Sequence, residues 1–350
     1  MIFLGDPHNG QKRVYINADN KIYKPRCIYW EWMFLGKNSF LINHFKNNLI
    51  NTSDLYPYWY SLLPSLNFLP DKGGYSSGYI DYQKVEKITQ PILNENNWES
   101  FGAIIALFSF FGITDLHYEN IIFGKNIDNE IKFGAIDIEC IFNKLHLLSQ
   151  THLLPLNPTF DKSCGLSKLK DVFNLNPSGF YISSLIYGYL SFFDIYNDIY
   201  LKILYSKRIQ KKPIRVIPCN TNIYKNYFYN KNIISKSEKE QLLRNDIPYF
   251  YRYIDSKEIY YYNINNGKYK LADLNDEIKK LLEENMFSSK TQLNHIKESL
   301  NLLKKAGSLQ LLKYLKQGRD NKIYKNLKLL IRKEYIEIEF KNKLWGCKCL

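Results

Sequence analysis

Asp115 and Asn120 stand five positions apart in Asp115-Leu116-His117-Tyr118-Glu119-Asn120, and Asp137-Ile138-Glu139 follows on. Phosphoryl transfer from a nucleotide needs a carboxylate beside the acceptor hydroxyl and oxygen ligands that hold magnesium against the phosphates. Protein-kinase catalytic loops use this Asp-to-Asn spacing, with a metal-holding aspartate further along. The pattern therefore offers Asp115 as the catalytic carboxylate and Asn120 with Asp137 as metal ligands. A D-x-H-x-x-N string also recurs by chance, and an acid at a strand end is ordinarily a solvated edge. The assignment needs support from elsewhere in the chain.

The elements around these residues supply some. The apolar run Phe101 to Ile113 reads as a buried helix that ends in Thr114-Asp115 and delivers the loop. Ile121-Ile122-Phe123, a polar turn through Gly124, Lys125, Asn126 and Asp128, and Phe133-Gly134-Ala135-Ile136 read as a hairpin with Asp137 at its far end. Near the start, Leu4 to Gly10 reads as a loop, Arg13 to Asn17 as a strand and Lys21 to Lys24 as its return around Ala18-Asp19-Asn20. Ile28 to Phe45 is helical in pattern, and residues 46–100 look irregular, broken by Pro57, Pro64, Pro70 and Gly73-Gly74. Phe180 to Phe193 reads as a second core helix within a helical region from about 165 to 206. The extended stretch Ile214 to Ile217 and a tyrosine-rich strand or hairpin over 251–270 come next. Leu271 to Leu330 shows helical spacing of Leu and Ile.

A chain of 350 residues with 45% hydrophobic content buries a full core and reads as one large or two ordinary domains. No apolar run is long enough to span a bilayer, and no N-terminal stretch has signal-peptide order, so a cytoplasmic protein without membrane insertion is expected. The six cysteines, including Cys347 and Cys349 at the chain end, lack zinc-site spacing and are expected as free thiols. A net charge of +14 calls for an anionic partner. The lysines are dispersed rather than gathered into a nucleic-acid-binding arm, so an acidic peptide with nucleotide phosphates fits better than nucleic acid.

Four further residues bear on the same chemistry. Lys24 ends a strand, where nucleotide kinases keep the lysine that neutralises phosphates. Glu31, in the helix that follows, could pair with it, but a helical glutamate is expected to be exposed. Asp6 and His8 lie close together in the Gly5 to Gly10 stretch and could act as an acid/base pair.

With these in view, the chain resembles the dehydratase domain of class II (LanM-type) lanthipeptide synthetases. The matching stretches are Gly5-Asp6-Pro7-His8-Asn9-Gly10, Tyr23-Lys24-Pro25-Arg26, Thr114 to Ile122, Ile136 to Glu139, Ile214-Arg215-Val216-Ile217 leading to Thr221 and Tyr224, and Asn245-Asp246-Ile247-Pro248-Tyr249-Phe250. They cover residues 3–255 in family order. The resemblance implies an α+β, kinase-like (lipid-kinase-like) two-lobed core with added helices. It implies an enzyme that uses ATP and Mg2+ to phosphorylate Ser/Thr of a ribosomal precursor peptide with an acidic leader. The enzyme then eliminates phosphate to leave dehydroalanine or dehydrobutyrine. Lys24, Asp115, His117, Asn120, Asp137 and Glu139 would serve phosphorylation, and Asp6, His8, Arg215 and Thr221 elimination. The corresponding division is 1–100 for N-lobe-like strands with an irregular insertion, 101–255 for the catalytic lobe and 256–350 for a helical, Lys-rich region.

Only five residues precede Asp6, where the family carries a large segment, and the family's zinc cyclase domain has no counterpart in these 350 residues. A truncated or split system is the expectation, with another chain supplying the upstream part and a separate cyclase. Cys219 and Asn220 stand where the family has Arg and Pro. Two alternatives stay open: a peptide Ser/Thr kinase without elimination, and an inactive leader-binding fragment of a split synthetase.

Overall fold

The computed structural model describes residues 1–47, 54–72, 74–88, 93–155, 163–169, 180–218, 224, 235–263, 268–315 and 322–348. Helix and sheet are mixed, as expected of an α+β chain.

The first unit is a five-stranded antiparallel sheet. It contains β1 (Ile2–His8), β2 (Lys12–Ile16), β3 (Lys21–Lys24), β4 (Phe68–Pro70) and β5 (Gly78–Asp81), in the order β1-β2-β3-β5-β4. The Leu4–Gly10 stretch, expected as a loop, is instead mostly strand. Its pairing with β2 is irregular between Leu4 and His8, and Gly5 has φ 65°. A bulge of this kind keeps the ladder while turning side chains to new directions. The β2–β3 turn is local chemistry: Asn17 Oδ1 accepts from the amides of Asp19 (3.1 Å) and Lys21 (2.9 Å), and Asn20 takes φ 55°.

The helical stretch expected over Ile28 to Phe45 divides into α1 (Tyr29–Leu35) and α2 (Phe40–Asn47). Gly36 ends the first in an extended conformation, and Ser39 Oγ accepts from Ile42 N at 3.2 Å to begin the second. The region expected to be irregular contains β4, β5 and the start of α3 (Glu95–Phe110). That helix begins before the apolar run because Asn94 and Asn97 cap it reciprocally, each side chain accepting the other's amide at 3.0 Å.

The hairpin of β6 (Ile121–Lys125) and β7 (Ile131–Ala135) forms as expected. Next come α4 (Phe180–Ile195) and α5 (Asn197–Leu204). Helices α3 and α4 touch backbone to backbone: a Cβ on Gly102 would lie 1.9 Å from Leu185 O, and one on Gly188 1.9 Å from Glu99 O. No described helix is long and apolar enough to cross a membrane.

A second sheet joins β8 (Ile214–Val216), β9 (Phe250–Arg252), β10 (Ile259–Asn263) and β11 (Lys268–Leu271), in the order β11-β10-β9-β8. The helix α6 (Lys236–Leu242), capped by Ser235, precedes β9, and α7 (Asp276–Glu284) and α8 (Leu293–Leu315) follow β11.

Helices α7 and α8 lie in the Lys-rich C-terminal region expected to be helical, but that region also holds a sheet. Residues 322–348 form a four-stranded meander of β12 (Lys322–Tyr324), β13 (Leu327–Ile331), β14 (Tyr335–Phe340) and β15 (Lys343–Lys348). Leu327, Leu329 and Ile331 alternate inward, as do Ile336, Ile338 and Phe340, and all six are buried. Glu99 of α3, wholly buried, accepts from Tyr324 Oη (2.7 Å) and Lys325 Nζ (3.0 Å), which pins this meander to the central helix.

Candidate active site: an ion-paired cleft

The end of α3 sets the first wall. Gly112 (φ 61°) turns the chain, and Thr114 N bonds Cys140 O (3.1 Å) while Leu116 N bonds Thr151 O (2.9 Å). Held at both sides, Asp115 adopts φ 66°, a left-handed conformation that aspartate takes more readily than most non-glycine residues. The five-residue spacing has a structural use: Asn120 Nδ2 donates to the Asp115 carbonyl at 2.8 Å, closing the loop on itself. His117 caps the short turn Tyr118–Asn120, its Nδ1 accepting from Glu119 N at 3.3 Å. That leaves the proton on Nε2, which faces Asp115 Oδ1 at 3.9 Å; His152 Nδ1 lies 3.9 Å from the same oxygen. Both are charge neighbours rather than hydrogen bonds at this distance.

The second wall carries Asp137 and Glu139 just past β7. Lys24 donates to the Ile136 carbonyl and to Asp137 Oδ1, each at 3.2 Å, and also bonds Glu31. Glu31 is fully buried, contrary to the exposed helical position expected. Helix α1 turns it inward behind β3, where Lys24 and Arg26 supply its counter-charge. Arg26, quoted in the sequence but given no role there, lies at the centre of the cluster. It bonds Glu31 Oε1 (2.9 Å), contacts Asp137 closely and pairs with Glu139 Oε2 (3.2 Å).

Glu139 joins this cluster to the third wall. Its Oε1 accepts from Arg215 Nη1 of β8 at 2.9 Å, and its Oε2 accepts from Tyr249 Oη at 2.7 Å. The Arg215 guanidinium also stacks over the Tyr249 ring at 4.9 Å. The β1–β2 turn closes the cleft from above. Asp246, buried, accepts from Gly10 N (2.8 Å) and Gln11 N (2.7 Å), and Ile247 N donates to Pro7 O (2.9 Å). His8 Nδ1 donates to the Ile247 carbonyl at 2.7 Å, which leaves the Nε2 lone pair as its reactive atom while the ring is neutral.

The result is a cleft of about 250 Å³. It brings together Asp6, His8, Asp115, His117, Asn120, Asp137, Glu139 and Arg215, contributed by four separated stretches of the chain. Of the other expected residues, Lys24 stands one step behind the wall and acts on the cleft through Asp137. Thr221, Cys219 and Asn220 lie outside the described residues. Arg26, Tyr249 and His152 were not singled out from sequence. The first two sit inside quoted motifs, whereas nothing in the sequence marks His152.

The electrostatics divide the carboxylates. Although burial opposes it, Arg26 and Lys24 hold the Asp137 carboxyl well below the ordinary aspartate value, and Arg26 and Arg215 lower Glu139. Burial raises Asp115, against the opposing pull of Arg215 and His117. Burial and then Arg215 depress His8, so its ring is neutral at pH 7.

The donor set also suits a hard cation. Asn120 donates through its amide nitrogen to Asp115, and Asp137, about a third exposed, meets Lys24 and Arg26 through Oδ1. Among the described residues no three His, Cys, Asp or Glu side chains gather into a metal cage. Magnesium is ordinarily held by one or two protein oxygens, with water and substrate phosphates completing its shell, so the residues present fit it.

Of the described cysteines, Cys27 and Cys140 are free thiols. Neither a protein-family model nor a curated protein matches the chain.

Proposed function

We propose that this cleft is the active site of a peptide dehydratase of the class II lanthipeptide type, on a kinase-like two-lobed core. The observation that carries the reading is the convergence of Asp115, His117, Asn120 and Asp137 with His8, Asp6 and Arg215 on one cleft. Phosphate made at one side of such a cleft is already within it for elimination. The lysine–glutamate pair between β3 and α1, together with Asp137, also has the arrangement that kinases use to fix nucleotide phosphates.

ATP with Mg2+, when bound, supplies the phosphoryl group; Asn120 and Asp137 would hold the metal, with Lys24 and Arg26 neutralising charge around them. Asp115 would orient the Ser/Thr hydroxyl and accept its proton as the new P–O bond forms and the bond between the β- and γ-phosphates breaks, with ADP leaving. Its raised pKa brings it closer to that task than an ordinary aspartate. Glu139 positions Arg215 and Arg26 rather than standing free for a ligand, since three side chains already bond it.

In the second half-reaction, neutral His8 takes the Cα proton of the phosphorylated residue. The C–O bond breaks, the Cα–Cβ double bond forms, and phosphate leaves toward Arg215, whose fork suits it. Asp6 sits beside His8 to support the imidazolium. The peptide, any separate cyclase and any upstream chain are partners that the same reading implies.

The test is the intact mass of a Ser/Thr-rich precursor peptide coexpressed with this chain. Loss of one water per modified residue is expected, and Asp115→Asn should abolish every mass change. Arg215→Ala should leave phosphopeptide. Gain of phosphate without water loss in the wild type would refute the dehydratase in favour of a kinase. Modification that persists in Asp115→Asn would refute the site.

A further inference from the structure

A second cleft of about 260 Å³ lies on the far side of Arg26 and Tyr249. Asn9, Pro25, Arg26 and Tyr249 belong to both clefts, so the two share one wall. Their linings differ in charge. Asp6, Asp115, Glu119, Asp137 and Glu139 line the first, whereas no carboxylate among the described residues lines the second. Its cations are Arg26, Lys211 and Lys212, and its apolar surface comes from Tyr75, Tyr251, Tyr253 and Tyr269. Tyr251 and Tyr269 meet edge to face at 4.9 Å, and Tyr251 and Tyr253 at 5.7 Å, so the aromatic wall is built rather than incidental. Lys211 is exposed, and Lys212 rests over the Tyr29 ring at 4.7 Å.

One polar atom in the shared wall has no partner. Asn9 Oδ1 is shielded from solvent and accepts no hydrogen bond, while its backbone takes φ 49°. A buried acceptor left unmade is costly, and the natural remedy is a donor brought by a ligand. The second cleft is smaller than the roughly 300–1,000 Å³ of sites that enclose a whole small ligand. Adjacent spaces of this size suit successive residues of an extended chain, which advances about 3.3 Å per residue.

Taking the Proposed function as its basis, we infer that the second cleft is a subsite for the substrate peptide. It receives an acidic residue flanking the reacting Ser/Thr. The acidic side chain meets Lys211 and Lys212, its aliphatic part lies on the tyrosines, and a backbone N–H of the peptide donates to Asn9 Oδ1 once that amide turns outward to the cleft. The specificity-determining residues are thus distinct from those that carry out the chemistry.

The experiment uses fluorescein-labelled Ser-containing peptides that differ only in having Asp, Asn or Lys beside the serine. Binding is read by anisotropy for the wild type and for Lys211→Glu/Lys212→Glu, with steady-state rates for peptide and for ATP measured on the same proteins. The wild type should bind the Asp peptide tightest, with affinity falling as salt rises. The double variant should lose roughly tenfold for that peptide, as expected of two reversed surface charges, and should prefer the Lys peptide. An unchanged order of the three peptides in the variant would overturn the inference. So would a raised KM for ATP with peptide affinities intact, which would make the cleft a nucleotide subsite. The binding readout needs no turnover, so the two readings fail separately. Charge inversion without any mass change keeps the subsite and sinks the dehydratase. Dehydration indifferent to flanking charge does the reverse.

Discussion

Replacing Glu31 with Gln separates a buried ion-pair hub from a surface glutamate. Glu31 is fully buried and bonds both Lys24 and Arg26, whose side chains are 6% and 8% exposed. Hydrogen bonds to charged groups contribute about 1.5–3 kcal/mol each, and breaking a buried pair costs about 3–5 kcal/mol. Both cations keep Asp137 as a partner, so the lower end applies: about 3 kcal/mol. At roughly 2.1 cal/mol/K per residue, a chain of this length has an unfolding entropy of about 0.7 kcal/mol/K, and the melting temperature should fall by about 4 °C. An exposed helical glutamate, as α1 read in isolation would place it, should cost no more than about 0.5 kcal/mol. Calorimetry and urea titration of the two proteins at pH 7 decide the matter. The same variant should weaken ATP use, because Lys24 without Glu31 is drawn further onto Asp137. A melting temperature unchanged within about 1 °C would refute the buried cluster, since that corresponds to less than about 1 kcal/mol.

Three further outcomes follow from the same contacts. Gly188→Ala would put a Cβ 1.9 Å from Glu99 O, a backbone atom that cannot swing aside, so α3 and α4 must separate. A loss of about 3 kcal/mol or more is expected in urea unfolding, toward the upper end of overpacking costs. Tyr249→Phe removes the donor to Glu139 at 2.7 Å and should cost about 1.5–3 kcal/mol while loosening Arg215, seen as slower elimination than phosphorylation. Asp137 has a depressed pKa in the folded protein, so the unfolded chain binds its proton more readily and the residue's contribution rises with pH. The stability gap between wild type and Asp137→Asn should therefore be full above the ordinary aspartate value of about 4 and shrink as pH falls below it, read from urea midpoints across a pH series.

Local order was legible where local chemistry produces it. The strand Lys21–Lys24, the hairpin that ends before Asp137 and the buried helix Phe180–Ile195 follow from apolar period and turn residues within a few positions of one another. The C-terminal meander was hidden because its turns are punctuated by Lys325 and Lys341-Asn342 at positive φ, where the usual signal is glycine. Alternation in Tyr335-Ile336-Glu337-Ile338-Glu339-Phe340 was present, but it lies in a Lys- and Glu-rich stretch that also suits helix surfaces.

The candidate site divides in the same way. Residue types and spacing single out Asp115, Asn120 and Asp137, because the loop bond from Asn120 to Asp115 is itself a five-residue interaction. Periodicity places Glu31 on a helix but cannot say that the helix turns it inward, since a charge becomes tolerable in the core only when distant cations meet it there. Lys24 reaches Asp137 across 113 positions, and Tyr249 reaches Glu139 across 110. The sequence by itself thus determined which groups could do chemistry. Tertiary packing alone decided that Arg26, Arg215 and Tyr249 clamp the carboxylates, because opposite charges from remote segments must be desolvated together to hold one cleft in place.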